Sequence, residues 1–175
     1  MRSYAEKVYY DIEGDTPHAL AVQLGKRGPQ ARGRRFFGMT EWEVNAEYRW
    51  RERPSGCSID ELTVHVAVQT HLPRWRRPAH ASPSLRGAWS QFLAALDGHE
   101  DGHRALAEEA AESIRRRLGA LRARTCGRIE AQAHREMVAL LNEYERRNLA
   151  YDAETGHGRT QGAVWPPGPW PRGTN

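Results

Sequence analysis

Two neighbouring segments in the first half of the chain alternate strictly between apolar and polar residues. Residues 42–50 and 62–68 each place an apolar side chain at every second position. An alternation with a period of two predicts strands with one buried and one exposed face. Because residues 53–56 read Arg-Pro-Ser-Gly, a turn signal, the two strands are expected to form an antiparallel hairpin. His65 on the polar face and His71 after the second strand are expected to be solvated rather than metal ligands.

Shorter patterns precede this hairpin. Residues 8–12 form a β-type run, and Thr16 followed by Pro17 predicts the start of a helix that ends at Gly25. Residues 28–33 are basic and contain glycine and proline, which predicts an exposed loop.

The second half of the chain repeats its apolar residues with the spacing of a helix. Ser82 and Pro83 provide a helix start, and the apolar stripe that follows continues to about Leu121. A break at residues 124–125 leads to a second helical stripe over about residues 128–149. Because the connection is tight, the two helices should be antiparallel. The sequence therefore predicts an α+β fold, in which a small antiparallel β-sheet packs with a long helical hairpin.

Composition narrows the class of protein. A chain of 175 residues with 39% hydrophobic and 27% charged residues is typical of a globular protein, so one domain over residues 1–175 is expected. The proline-rich segment of about residues 164–175 is expected to be a loose tail. No apolar run approaches the length of a membrane span. The net charge of +4 comes almost entirely from arginine without interleaved aromatic residues, so no nucleic-acid partner is expected.

The pattern His-Glu-x-x-His occupies residues 99–103 within the first long helix. Side chains four residues apart lie on one face of a helix, so the imidazoles of His99 and His103 can reach the same zinc ion. Both fall on the apolar stripe and should therefore point into the core, where their nitrogens need partners. Glu100 is close enough to act on a water molecule beside that metal.

The helical hairpin brings a further segment to this histidine pair. Counting outward from the break pairs residue 101 with about residue 148, so residues 151–158 should lie beside the motif. This segment reads Tyr-Asp-Ala-Glu-Thr-Gly-His-Gly and contains two residue types that bind zinc. The third metal ligand is therefore expected from this part of the chain.

Three residues are candidates for that third ligand, because zinc accepts imidazole nitrogen or carboxylate oxygen. His157 is favoured, since the glycines on either side allow the backbone to turn sharply and aim the ring. Asp152 is the alternative ligand, and otherwise is expected to orient a ligand imidazole. Glu143 is a second alternative, although it should lie about a turn short of the site. Tyr151 is expected either to donate a hydrogen bond to an oxyanion or to pack at the helix end.

Several motifs together resemble a known bacterial family. They are H-E-x-G-H at residues 99–103, Y-D-x-x-T-x-H-G at 151–158 and Gln-Gly-Ala at 161–163. Residues 9–11, 37–50 and 72–75 and the turn at Cys57 share in the resemblance. The family is that of predicted secreted zinc-dependent proteases, long described as a domain of unknown function. Its description as a protease rests on the zinc motif itself.

This resemblance implies two further properties. A cysteine pair is usual in the family, which implies a disulfide between Cys57 and Cys126; the residues alone leave two free thiols equally open. Family members usually carry an export signal, which implies a periplasmic or secreted protein, although no apolar signal segment follows Met1 in this sequence.

The motifs lead to a prediction of function. We expect a zinc-dependent metallopeptidase in which Glu100 takes a proton from the zinc-bound water and passes it to the leaving amine, with His99, His103 and His157 as zinc ligands. Its partner would be a peptide or protein substrate. The alternative is a non-catalytic envelope or binding protein that zinc stabilises. Glu100 argues for catalysis, because a purely structural zinc site does not need a carboxylate beside the metal.

Overall fold

The computed structural model describes residues 1–168 and contains six strands, three α-helices and a short 3-10 helix. In chain order these elements are β1 (Arg2–Ile12), α1 (Pro17–Arg27), β2 (Gln30–Ala31), β3 (Arg34–Arg35), β4 (Met39–Arg53), β5 (Gly56–Trp75), α2 (Pro83–Gly119), β6 (Arg122–Ala123), α3 (Cys126–Thr155) and the 3-10 helix (Arg159–Gln161). Long helices together with a small antiparallel sheet confirm the predicted α+β fold class.

The main sheet has four strands. β1, β5 and β4 lie side by side in that order, and β6 also pairs with β5. β4 and β5 are therefore neighbours, as the alternating pattern predicted. β6 runs antiparallel to the start of β5, with Cys57 opposite Ala123 and Ser58 opposite Arg122. β2 and β3 form a separate two-stranded ladder.

The chain forms two compact units. Unit 1 comprises residues 1–5, 41–68 and 103–150, and unit 2 comprises residues 6–40, 69–102 and the chain from Tyr151 onward. The organisation as one domain over residues 1–175 stays a prediction.

The core of unit 1 is built from the faces that the two periodicities predicted to be inward. Apolar side chains of the β4–β5 hairpin pack against the apolar stripes of α2 and α3. Burial of these side chains from water stabilises the unit, at about 25 cal/mol for each Å² of apolar surface. The strand residues are Val44, Val64, Val66 and Val68, and the helix residues include Ala107, Ala110, Ile114, Leu118, Ile129, Ala133 and Tyr144.

Unit 2 has an aromatic-rich core of its own. The Trp89 ring lies 5.3 Å from that of Phe92 and 5.2 Å from that of Trp165, between ring centroids. The Trp165 indole also donates a hydrogen bond to the Pro17 carbonyl oxygen at 3.0 Å. Helix α1, capped by the Thr16 hydroxyl as predicted, contributes Leu20 and Leu24 to the same cluster. Trp165 belongs to the segment expected to be a loose tail, yet it is buried.

Several predicted boundaries were wrong, including the end of α1, which is Arg27 rather than Gly25. β1 begins at Arg2, well before the apolar run at residues 8–12. β5 continues to Trp75, well past the alternating segment that ends at Val68, and Leu72 and Pro73 in this extension are buried. α3 continues six residues past Leu149 to Thr155, since packing at its last turn extends it after the apolar stripe has ended.

The rest of the predicted loose tail, residues 169–175, lies outside the described residues. Within residues 1–168, no helix combines the length and the apolar character that a membrane span requires.

A disulfide joins Cys57 at the start of β5 to Cys126 at the start of α3, with 5.1 Å between the two Cα atoms. This confirms the pairing that the family resemblance implied. The bond closes a loop with a sequence separation of 69 residues within unit 1. Closing so long a loop restricts the unfolded chain and thereby stabilises the folded state.

Replacing Cys57 and Cys126 together with Ser is expected to lower the free energy of unfolding by about 2–5 kcal/mol. Denaturant unfolding of the two proteins measures this difference. Reductant should destabilise the original protein and leave the double variant unaffected. Two free thiols in the unfolded, non-reduced protein would contradict the bond.

Candidate metal centre

His99 and His103 lie one turn apart on α2, and both are buried, with exposed fractions of 3% and 8%. Their helical spacing places both side chains on one face. Gly102 lies between them, and a Cβ atom at this position would overlap the phenol ring of Tyr151. The sequence has glycine there because the last turn of α3 approaches α2 closely.

Each imidazole has one nitrogen fixed by an amide oxygen. His99 Nδ1 is 2.9 Å from Gln161 Oε1, and His103 Nδ1 is 2.7 Å from Asn148 Oδ1. An amide oxygen can only accept a hydrogen bond, so the proton of each neutral imidazole is on Nδ1. Nε2 of each ring is then the nitrogen that a metal would bind.

Asp152 on the last turn of α3 completes a group of three metal-binding side chains. Its Oδ1 is 3.2 Å from His99 Nε2. The potential ligand atoms of His99, His103 and Asp152 all lie within 4.8 Å of one another. Two imidazole nitrogens and a carboxylate oxygen at this spacing could share one metal ion.

His157 lies next to this group without being a member of it. Its Nδ1 is 3.2 Å from Asp152 Oδ1, so the carboxylate is within reach of both imidazoles, those of His99 and His157. The backbone of His157 is left-handed, with φ 53°, between two glycines that also have positive φ angles. This agrees with the sharp turn that the sequence predicted. The role of His157 as a zinc ligand stays a prediction.

The backbone near His157 is also constrained by contact. A Cβ atom at Gly158 would lie 2.9 Å from Cγ of His99, and its φ of +79° disfavours other residues. Gly158 therefore allows the chain after α3 to pack against a histidine of the group. Glu143, the other residue considered for a ligand, is exposed in unit 1 and is not part of the three-residue group.

Glu100 is buried, with an exposed fraction of 3%, and its carboxylate faces the segment that enters β4. Its Oε2 accepts a hydrogen bond of 2.8 Å from the Thr40 hydroxyl. A Cβ atom at Gly38 would lie only 2.6 Å from its Oε1, so glycine permits the close approach. Residues 38–40 thus hold the carboxylate of Glu100 in a fixed position.

Tyr10 lies close to the same carboxylate. Burial, and secondly the charge of Glu100, raise the pKa of the Tyr10 phenol well above its ordinary value. The phenol therefore keeps its proton, which it donates to the Phe37 carbonyl oxygen at 2.6 Å. This bond ties β1 to the segment that contacts Glu100.

Tyr151 stacks on the imidazole of His99, with 5.0 Å between ring centroids and 13° between ring planes. Its hydroxyl donates to the His99 carbonyl oxygen at 3.3 Å and accepts from Gln161 Nε2 at 3.0 Å. These contacts position His99. The role of Tyr151 toward an oxyanion stays a prediction.

Four residues that contact the group or lie beside Glu100 had no role predicted from the sequence. Gln161 and Thr40 lie in segments that carried the family resemblance, so a signal was present without a role attached. Asn148 is the residue that counting along the helical hairpin paired with residue 101, which lies two positions before His103. Tyr10 also lies in a segment that carried the resemblance, but nothing in the sequence connected it with Glu100.

Exposure differs between the two sides of the group. The side chain of His99 is 3% exposed, whereas that of Asp152 is 27% exposed and that of His157 is 47% exposed. Solvent therefore reaches the group from the side of the α3 terminus. A substrate would have to approach from this open side.

Comparison with known proteins gives one result for this chain. No curated protein and no solved structure was found to match it. One protein-family model matches residues 7–158, a range that contains Glu100, both histidines of the motif and Asp152. Since this range covers most of the chain, the protein belongs to the family described as "Bacterial protein of unknown function (DUF922)".

Proposed function

We propose that this protein is a zinc-dependent metallopeptidase. The observation that carries the proposal is the arrangement at the α3 terminus. His99 and His103 present unprotonated Nε2 atoms beside the Asp152 carboxylate, and Glu100 follows the first histidine directly. Two imidazoles and a carboxylate as metal ligands, with a second carboxylate next to them, are typical of hydrolytic zinc sites.

The donor set supports zinc as the metal. Imidazole nitrogen suits zinc, and a single carboxylate oxygen is compatible with it, whereas calcium and magnesium prefer sites built from oxygen. His99, His103 and Asp152 would hold the ion, and His157 is the alternative to Asp152. When bound, zinc would act as a Lewis acid that polarises a peptide carbonyl and makes water easier to deprotonate.

The residues of the chain would supply the remaining chemistry. Glu100 would accept a proton from the attacking water as the oxygen bonds to the carbonyl carbon. It would then return that proton to the amide nitrogen as the carbon–nitrogen bond breaks. Thr40 fixes the carboxylate for this work through its hydrogen bond to Oε2. Tyr151 and Gln161 keep the His99 ring in place.

The disulfide supports a cellular location for this activity. Disulfides persist in oxidising compartments such as the periplasm or the extracellular space. The bond between Cys57 and Cys126 therefore supports the proposal that the protein is exported.

The proposed function is tested with a peptide library. Protein loaded with one equivalent of zinc should cleave some members, and protein stripped with a chelator should cleave none until zinc is restored. A zinc-dependent rise in melting temperature without any cleavage would favour the alternative, a non-catalytic protein that zinc stabilises.

Thr40→Val should lower kcat by about 10- to 100-fold while zinc content and KM stay unchanged. The change removes a hydrogen bond to a charged group, which contributes about 1.5–3 kcal/mol. Steady-state kinetics on a peptide found in the library measures the effect. Thr40→Ser keeps the hydroxyl and is the matched control, which should retain most of the activity. Equal kcat values for the original protein and the Val variant would remove Thr40 from this role.

A further inference from the structure

A cluster of cations lies on the surface of unit 2 at residues 26–35, here called the basic hairpin. Lys26, Arg27, Arg32, Arg34 and Arg35 are all exposed. The sequence predicted an exposed basic loop for part of this segment. In the structure, β2 and β3 pair across a two-residue turn, in which Arg32 and Gly33 have φ angles of 49° and 76°. Positive φ angles at both positions are typical of a tight hairpin turn.

Hydrogen bonds join the two ends of the basic hairpin and fix its conformation. The Phe36 amide donates a hydrogen bond to the Pro29 carbonyl oxygen at 2.9 Å, and Arg35 Nη1 donates to the Gly28 carbonyl oxygen at 2.8 Å. A Cβ atom at Gly28 would overlap the Phe36 carbonyl oxygen, so the two ends of the segment touch.

Contacts connect the basic hairpin to the open side of the candidate metal centre. The Arg34 guanidinium lies over the Phe36 ring, 5.8 Å from its centroid. The Phe36 ring in turn lies 5.5 Å from the ring of His157, whose Nδ1 is 3.2 Å from the carboxylate of Asp152. Two rings therefore separate the guanidinium of Arg34 from the metal-binding group.

The segment that leaves the basic hairpin continues along the same site. Phe36 contacts His157, the Thr40 hydroxyl donates a hydrogen bond to Glu100 Oε2, and Gly38 leaves room for Glu100 Oε1, where a Cβ atom would collide. A peptide substrate lying along residues 36–40 would have the peptide bond to be cleaved near Glu100 and one of its ends near Arg34. Arg34 would then lie beside a side chain a few residues from the cleaved bond.

Asp11 lies beside the basic hairpin, but its carboxylate pairs with arginines outside the hairpin. Arg27 binds Asp11 through the backbone carbonyl oxygen of that residue, at 3.0 Å. The carboxylate of Asp11 pairs with Arg74 and Arg76 instead, and these arginines lower its pKa to about 2. Among residues 1–168, no carboxylate forms an ion pair with Arg34. Its cation is available to a ligand that approaches the open side.

We propose that the basic hairpin binds a carboxylate of the substrate and that Arg34 determines a preference for acidic peptides. This inference rests on the proposed function and specifies its substrate class. An arginine stacked on an aromatic ring is held in place and can still donate two parallel hydrogen bonds to a carboxylate. A peptide with Glu or Asp within a few residues of the cleaved bond fits this arrangement.

Binding is measured apart from cleavage, with zinc-loaded Glu100→Gln protein and fluorescent peptides. The two peptides of the first pair differ only in having Glu or Gln on one side of an apolar centre. The two peptides of the second pair have the same difference on the other side of the centre. In one pair, the Glu peptide should bind about 10-fold more tightly than the Gln peptide, and added salt should reduce the difference. Equal affinities in both pairs, or no binding at all, would overturn the inference.

A charge-reversed pair of variants separates local from overall charge. Arg34→Glu in the Glu100→Gln background should abolish the preference for the Glu peptide. Arg135→Glu changes the net charge equally at an exposed position of α3, about 25 Å along the helix axis from Asp152, and should keep the preference. Equal losses in both variants would show a general charge effect and reject the role of Arg34.

The same peptides distinguish failure of this inference from failure of the proposed function. Protein with Glu100 intact is incubated with each peptide, and cleavage is followed by mass spectrometry. Cleavage without any preference for Glu would reject the inference and leave the metallopeptidase in place. A binding preference that depends on Arg34, without cleavage of any peptide, would reject hydrolysis and leave a site for acidic peptides.

Discussion

Replacing His99 or His103 with Ala is expected to lower the affinity of the protein for zinc by more than about 100-fold, which exceeds the loss typical of residues that only orient a ligand. Each imidazole offers an Nε2 lone pair to the same group, and its Nδ1 proton is committed to an amide oxygen. Competition with a chromophoric chelator measures the affinity. His134→Ala, at an exposed position of α3, is the control and should bind zinc as tightly as the original protein.

The third ligand is decided in the same assay by comparing two further variants. The sequence favoured His157, whereas the grouping of ligand atoms in the structure favours Asp152. Asp152→Ala is therefore expected to cost more zinc affinity than His157→Ala, which should lose about 10- to 100-fold if the ring only orients the carboxylate. The reverse ranking would assign the ligand role to His157. Purified protein that contains no transition metal and is not stabilised by added zinc would reject the centre altogether.

Replacing Glu100 with Gln is expected to lower peptide hydrolysis by about 10²-fold or more while zinc stays bound. Glutamine keeps the size and polarity of the side chain and can still accept a hydrogen bond from the Thr40 hydroxyl, but it cannot take a proton from water. The assay is kcat/KM on a library-derived peptide, with the zinc content of each preparation measured in parallel.

A second glutamate provides the control for this result. Glu130→Gln, at an exposed position of α3, makes the same chemical change away from the group and should leave kcat/KM unchanged. Full activity in the Glu100→Gln variant would remove Glu100 as the base and, with it, the proposed mechanism.

The parts of this protein that could be predicted from sequence are those with a local, repeated signal. The alternation around Val44 and Val66 gave the two strands and their buried faces, because the period of two is a property of each strand alone. The apolar stripe that contains His99 and His103 likewise gave the inward direction of both imidazoles. The short connection between the long helices was enough to bring Asp152 to the same place.

The parts that could not be predicted depend on contacts between distant segments. The end of α3 is set by Tyr151 packing on Gly102, and the length of β5 is set by burial of Leu72, so neither boundary is marked in the local pattern. The choice of Gln161 and Asn148 as partners of the imidazoles depends on the direction of single side chains. Such side-chain directions follow from tertiary packing, which the periodicity of the sequence does not report.

The close packing at Gly102 and Gly158 allows selection for the structure of the centre to be distinguished from selection for its activity. Both glycines are required by the shape of the centre, because a Cβ atom at either position would collide with Tyr151 or His99 whether or not the protein turns over a substrate. Glu100 and Thr40 depend on each other instead and, in the proposed function, on catalysis. In a relative that kept the metal and lost its activity, natural selection would retain the two glycines. The residues at positions 40 and 100 would both be free to change. Members of the family could thereby be sorted into enzymes and inactive descendants from their sequences alone.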